Sequence, residues 1–423
     1  MKKTLSVILA IAFAVSIGAV FGACAPREEI LKVYNWGDYI DEDIFDDFKE
    51  YYADATGGKK ITVKYDTYDN NETKFNKYKS NRKPDYDLIC PSEYMIQEML
   101  ALDMLSPLTR NGDGGYTYVT NFDNVVADLR DETLEYEGKK INDYAVPYMW
   151  GTLGLLYNVD YVTQEEVETW GTLLVPSGTH ADKKITMKDS VRDAFFAASL
   201  YYYRDELTGL YGDSAAHKAK VQEIADRTDA ATVNGVKNIL SAQSGKLYSY
   251  ESDEGKGDMV TGNLHLGLMW SGDAVWAFDE EFALNPAKIN LAYYIPREGG
   301  NIWSDSFVVP KYAKNSAAAE IFLNFLCETE IAKRNMQASG YTCAVQDAID
   351  EYKAELEEDE MWDSPMIANT GRGDRAGKPF AEWYKAMYLD TLFPSEETLA
   401  RCGVMKFFGA DNDAINDMWD NVR

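Results

Sequence analysis

Residues 30–67 read ILKVYNWGDYIDEDIFDDFKEYYADATGGKKITVKYDT, and this stretch decides the fold. Ile30 to Tyr34 is an apolar strand that ends in the turn Asn35-Trp36-Gly37-Asp38. Asp41 can cap the helix that follows, whose apolar residues Ile44, Phe45, Phe48, Tyr51 and Tyr52 recur at helical spacing until Gly57-Gly58 stops it. Ile61, Val63, Tyr65 and Thr67 then alternate with Thr62, Lys64 and Asp66, as in a strand with one better-buried face. Strand, helix and strand in that order imply a parallel crossover. The pattern recurs, with Tyr86 to Cys90 as a strand, Pro91-Ser92-Glu93 as a turn, and Met95, Ile96, Met99 and Leu100 as the apolar stripe of a helix. The architecture is therefore α/β.

Farther along, Tyr144 to Gly151 leads into an apolar strand, Leu153 to Tyr157, and a lobe crossing is placed near residue 147. Val191, Ala194, Phe195 and Ala198 sit at helical spacing, and Leu264 to Trp270 reads as a buried strand. The strand Ser306 to Pro310 precedes a long helix bearing Ala317, Ala318, Ile321, Phe322 and Phe325 and ending at Gly340. A charged run from Tyr352 to Glu360 and the loop Gly371-Arg372-Gly373-Asp374-Arg375 interrupt this texture and read as a surface insertion at about 350–390. The Arg-Gly-Asp triplet in that loop is a chance match. Ile415, Met418, Trp419 and Val422 give the closing helix one packing face.

Of the 423 residues, 70 are acidic and 42 basic, a net charge of -28, which excludes a nucleic-acid binder that must displace counterions from phosphate. Lys2 and Lys3 precede an apolar stretch from Leu5 to Phe21 and then Gly22-Ala23-Cys24. This reads as an export signal over 1–23, of the kind cut before a cysteine that then receives a lipid, with residues 24–29 as the tether. The expected location is the outer face of the cell membrane or the periplasm, anchored at Cys24. Cys90, Cys327, Cys343 and Cys402 show no C-x-x-C spacing, so zinc is not expected, and pairing and free thiols both stay open. The histidines, His180, His217 and His265, are scattered and no nucleophile sits in a recognisable elbow. Asp411, Asp413 and Asp417 lack the glycine and final glutamate of a calcium loop. No cofactor, metal or catalytic residue is expected.

Aromatic and acidic residues pair up along the chain: Trp36 with Asp38 and Tyr39, Trp270 with Asp273, and Trp303 with Asp305. These pairs read as strand ends or the turns after them, where ligands bind in open α/β sheets. A Trp face attracts a cation with about 0.5 to 2 kcal/mol, and an adjacent carboxylate anchors an ammonium. Carboxylates spaced along an aromatic trough select a linear diamine.

At these residues the chain resembles the spermidine/putrescine-binding proteins that deliver polyamines to ABC importers. The resemblance is carried by Val33-Tyr34-Asn35-Trp36-Gly37-Asp38-Tyr39-Ile40, Tyr68-Asp69-Asn70-Asn71-Glu72-Thr73, Tyr86 to Tyr94, Val146 to Gly151, Leu266 to Gly272 and Glu298 to Ser306. It implies a type II periplasmic-binding-protein fold, two mixed sheets flanked by helices, with the ligand in a cleft between two lobes. Residues 30–147 with 306–350 would form the first lobe, and 148–305 with 351–423 the second. The same resemblance implies that Trp36, Tyr39 and Tyr94 wall the cleft from the first lobe, with Asp38 and Ser92 adding polar contacts. From the other side Trp270, Trp303 and Tyr341 would complete the box, Asp305 and Asp193 would take charged amines, and Ser252 would add a hydrogen bond.

Ser190 stands where spermidine-preferring members resemble one another in carrying an aspartate, and Met405 where they carry an amide. Asp273 and Asp38 are similar to the putrescine-preferring members, Tyr94 and Trp303 to the spermidine-preferring ones. The balance falls to putrescine, with spermidine close. The expected protein is a monomeric polyamine receptor with permease subunits as partners. An oligosaccharide-binding receptor of an ABC importer is the alternative, since aromatic walls with carboxylates also hold sugars.

Overall fold

The sheet that organises the molecule is built on the crossover that opens the sequence. A computed structural model describes residues 28–423 apart from 69, 72–74, 76–84, 131–134, 183, 285–288, 365–366 and 368–372. The signal segment, Cys24 with most of the tether, Asp69, Glu72, Thr73, Gly371 and Arg372 lie outside the described residues. The strands are β1 (Glu29–Trp36), β2 (Ile61–Tyr68), β3 (Leu88–Ile89), β4 (Glu135–Tyr136), β5 (Lys139–Lys140), β6 (Ala145–Asn158), β7 (Ile185–Lys188), β8 (Tyr250–Glu251), β9 (Leu266–Trp270), β10 (Leu291–Tyr294), β11 (Gly300–Val308), β12 (Thr342–Cys343) and β13 (Cys402–Val404).

β1 runs parallel to β2 from Glu29↔Ile61 to Trp36↔Tyr68, and parallel to β3 on its other side. Among the described residues the order continues as β2-β1-β3-β11-β6-β9-β7-β8, with β10 and β12 on β6 and β13 on β11. The crossover helix α1 (Ile44–Thr56) buries Ile44, Phe48 and Tyr52 one turn apart and ends at Gly57, whose φ of 72° is the left-handed cap that glycine adopts freely. Its Phe48 ring lies 4.8 Å from Phe322.

Two strands tie the halves of the sheet together. β6 pairs antiparallel with β11 over Ala145–Thr152 and with β9 over Leu153–Tyr157. It is a single 14-residue strand, where the sequence suggests a separate strand beginning at Leu153. Pro147 is tolerated in it because the pairing slips there: Met149 faces Asp305 and Pro147 faces Ser306, leaving Tyr148 as the extra residue of a bulge. All of β6 except Trp150 is buried through Asn158, as expected for a strand covered on both faces.

Other expectations are corrected. The long helix before Gly340 is two helices, Ser316–Leu326 and Thr329–Ser339, because Glu328 takes an extended ψ of 137° between them. The segment read as a surface insertion is partly core, for the helix Phe380–Leu392 buries Phe380, Trp383, Tyr384 and Tyr388, and the Tyr388 ring packs 5.6 Å from Phe278. Its charged neighbours hid an aromatic face. Cys90, Cys327, Cys343 and Cys402 are all buried free thiols. Among the described residues no helix is long and apolar enough to cross a membrane.

Candidate functional site

Three helix N-termini point into one cavity of about 440 Å3. They belong to α2 (Glu93–Ala101), α3 (Val191–Tyr202) and α4 (Ser271–Leu284), which follow β3, β7 and β9. A helix N-terminus is the positive end of the peptide dipoles and by itself repels a cation. Each of these helices carries a carboxylate in its first turn, Glu93, Asp193 and Asp273, which is stabilised there and reverses the local sign.

The cavity is lined by every cleft residue expected from the sequence: Trp36, Asp38, Tyr39, Ser92, Tyr94, Asp193, Ser252, Trp270, Asp273, Trp303, Asp305 and Tyr341, together with Ser190 and Met405. Trp36 and Trp270 close β1 and β9, as the pattern suggests. Trp303 and Asp305 do not lie at a strand end. They sit inside β11, opposite Gly151 and Met149, because that strand starts at Gly300 and crosses the middle of the sheet.

Asp305 is the centre of the site. Its carboxylate is buried, and Ser92 Oγ donates to Oδ1 at 2.6 Å while the Tyr39 hydroxyl donates to Oδ2 at 2.9 Å. Asn71 Nδ2 in turn donates to Ser92 Oγ and to the Tyr94 hydroxyl, both at 3.0 Å, which fixes the donor that Asp305 receives. Burial pushes the Asp305 carboxyl up to about 7, against the two hydrogen bonds that favour its ionised form and with the nearby Asp193 charge adding to the rise. A carboxylate has about four acceptor positions, so two remain for a ligand.

Around it the aromatic rings brace one another. Tyr39 and Trp303 meet Tyr341 edge to face at 5.1 and 5.4 Å between ring centres, and Trp36 leans on Tyr68 at 4.7 Å. Trp270 Nε1 donates to Asp193 Oδ2 at 3.1 Å, which ties one wall to an acidic group. Asp193 itself is held by the helix start, where Ser190 Oγ caps its backbone N–H at 3.3 Å. Asp38 sits in a left-handed turn at φ 49°, a conformation that Asp tolerates better than most residues, and it is exposed at the cavity's edge.

Tyr341 is set by Gly272. A Cβ at Gly272 would fall 2.2 Å from Tyr341 Cδ1, so only glycine lets that ring lie against the start of α4. Gly272→Ala is expected to lower stability by about 1–3 kcal/mol through overpacking, read as a lower urea midpoint with an unchanged slope.

Basic residues in the cavity are what the sequence reading missed. Lys188, the last residue of β7, faces Glu251 in the parallel register with β8. Its fully buried Nζ lies 2.7 Å from Asp273 Oδ2, 3.2 Å from Glu251 Oε1 and 4.5 Å from the centre of the Trp270 ring, and it donates to the Ser252 carbonyl at 2.8 Å. Asp273 also accepts from the Tyr341 hydroxyl at 2.8 Å. Burial opposes its charge, but Lys188 and Lys256 outweigh burial and hold its pKa below the usual carboxylate value. Asp273 is therefore not the open carboxylate that the Trp270–Asp273 pairing suggests. The Arg192 guanidinium covers the Tyr94 ring at 4.1 Å and that of Phe408 at 3.8 Å, so one face of the Tyr94 wall is already taken. A lysine closing the buried run Ile185-Thr186-Met187 was the available signal for Lys188, since a charge in such a place needs partners.

The profile of the bacterial extracellular solute-binding proteins matches residues 43–367. The chain belongs to this family. As a solute-binding protein it is a binding component and not an enzyme. It is 27% identical over 341 residues to the spermidine/putrescine-binding periplasmic protein of Escherichia coli K12, covering 81% of this chain and 84% of that one. It is 29% identical over 340 residues to the putrescine-binding periplasmic protein SpuD of Pseudomonas aeruginosa, covering 78% and 82%. The solved structure of the TpPotD lipoprotein of Treponema pallidum superimposes with a TM-score of 0.65 at 20% identity, over 93% of this chain and 99% of that one. The solute-binding protein thus has the type II periplasmic-binding-protein fold, as the resemblance implies.

Proposed function

We propose that the protein captures a polyamine, putrescine in preference to spermidine, and delivers it to the permease subunits of an ABC importer. The observation that carries this reading is Asp305: a buried carboxylate with two preset hydrogen bonds and two acceptor positions left over, among aromatic walls that meet edge to face. Asp305 and Asp193 receive the ammonium groups, and Asp38 draws cations to the cleft mouth. Trp36, Tyr39, Trp270, Trp303 and Tyr341 enclose the alkyl chain, with Tyr94, Ser92 and Ser252 completing the lining and Ser190 and Met405 bearing on which polyamine fits. The names of the relatives support the same ligand class.

Residues 30–147 with 306–350 and 148–305 with 351–423 act as two lobes that close on the ligand, which favours the closed state by its higher affinity for it. The protein works as a monomer at the outer face of the cell membrane or in the periplasm, held through a lipid on Cys24, with residues 1–23 removed. That the Treponema pallidum neighbour is a lipoprotein supports this anchoring.

A net charge of -28 steers cations toward the cleft. Raising the salt from about 0.02 to 0.5 M is expected to slow putrescine association several-fold, followed by tryptophan fluorescence in a stopped flow. The reading as a whole is tested by thermal shift of ligand-stripped protein. Putrescine and spermidine should raise the melting temperature by several degrees while maltodextrins do not, and the reverse pattern would replace the polyamine with a glycan.

A further inference from the structure

We propose that Lys188 is a built-in ammonium that occupies one of the cation seats of the cleft and thereby limits how many charges a ligand can bring. This rests on the polyamine reading and deepens it. The Lys188 Nζ has the surroundings of a bound ligand amine: a carboxylate at 2.7 Å, a second at 3.2 Å, a carbonyl at 2.8 Å and the Trp270 ring at 4.5 Å. The ammonium is ion-paired with the Asp273 and Glu251 carboxylates and donates hydrogen bonds to the Ser252 carbonyl at 2.8 Å and to Glu251 Oε2 at 3.5 Å. The side chain is fully buried, so it is not exchanging these partners for water.

The consequence follows from charge. Glu251, Lys188 and Asp273 together carry a net charge of -1, spent within the protein rather than offered to a ligand. Lys256 removes more of the acidic character at that end, at 2.6 Å from Asp253 and 3.9 Å from Asp273. A ligand ammonium brought to Asp273 would meet Lys188 head on. Among the described residues no lysine or arginine is ion-paired with Asp305 or Asp38, which lie at the other end of the cavity. A short diamine matches that distribution, and a third ammonium has no seat. Lys188 is thus a specificity-determining residue that disfavours spermidine relative to putrescine.

The test is calorimetric titration of putrescine and spermidine into the full-length protein, as Lys188→Met and as the double variant Lys188→Met/Glu251→Gln. Methionine keeps the length of the lysine stem, and the double variant keeps the triad's net charge, so it guards against misfolding from two unpaired buried carboxylates. In the folded double variant the spermidine-to-putrescine affinity ratio is expected to rise by at least about tenfold, as Asp273 becomes free for a ligand ammonium. A ratio within about twofold of the parent value, in a variant that still binds putrescine and melts cooperatively, would overturn the inference. A parent protein that binds neither amine would overturn the polyamine reading itself, and this inference with it.

Discussion

Asp305→Asn will lower putrescine affinity by about 100-fold or more while making the empty protein more stable. The loss follows from removing one partner of a buried, hydrogen-bonded charge pair, which typically costs 2–5 kcal/mol. The gain in stability follows from the state of that carboxyl before ligand arrives. Its pKa stands at about 7 in the folded protein, because burial disfavours the charge, against about 3.9 for an unfolded aspartate. Between those two values the folded state holds a proton that the unfolded state has released, so stability falls as the pH rises through this window and is level above 7. The full effect is about 4 kcal/mol at most, and a neutral carboxamide removes it. Differential scanning calorimetry at pH 8 should show a higher melting temperature for the empty variant and a much smaller shift on adding putrescine. A variant that melts lower and binds as before would remove Asp305 from the account.

The second large effect is on pH dependence. An ammonium binds the ionised form of Asp305, so binding below pH 7 must first expel the carboxyl proton. Affinity is then expected to be constant above about pH 7.5 and to fall tenfold per unit below 7, reaching about 100-fold weaker at pH 5. The proton released should appear as a dependence of the binding heat on the buffer's ionisation enthalpy, approaching one proton per ligand below about pH 6 and vanishing by about pH 8.5. In Asp305→Asn both trends should vanish from what binding remains. A flat affinity between pH 5 and 8 in the parent protein would mean that Asp305 is ionised without the ligand.

Much of this site could be read from the residues in order. The turn after β1 places Trp36 and Asp38 at a strand end, and the first turn of α4 places Asp273 just past Trp270, because local geometry fixes both. Trp303 and Asp305 were legible as partners but not as mid-strand residues, since the extent of β11 depends on pairing with β6 and β13, far away in the chain. The separate strand read from Leu153 is the second half of β6, whose first half is set by pairing with β11 across a bulge. The Lys188–Glu251–Asp273 cluster was out of reach for a similar reason: it forms only once the β7–β8 register is set and α4 docks beside it. A charged residue at the end of an apolar run signals that a partner exists without saying which. Glu93, which accepts from the Ser304 N–H at 3.0 Å, is a further example of a group whose role depends on distant pairing.

If the cleft holds a polyamine through the buried Asp305 carboxylate, the empty protein must bind putrescine at that group. The decisive experiment is to titrate putrescine into ligand-stripped, refolded protein in a calorimeter at pH 8. One molecule is expected to bind per chain, with heat that is largely lost in Asp305→Asn. No heat from putrescine, spermidine or cadaverine in a protein that melts cooperatively would contradict it.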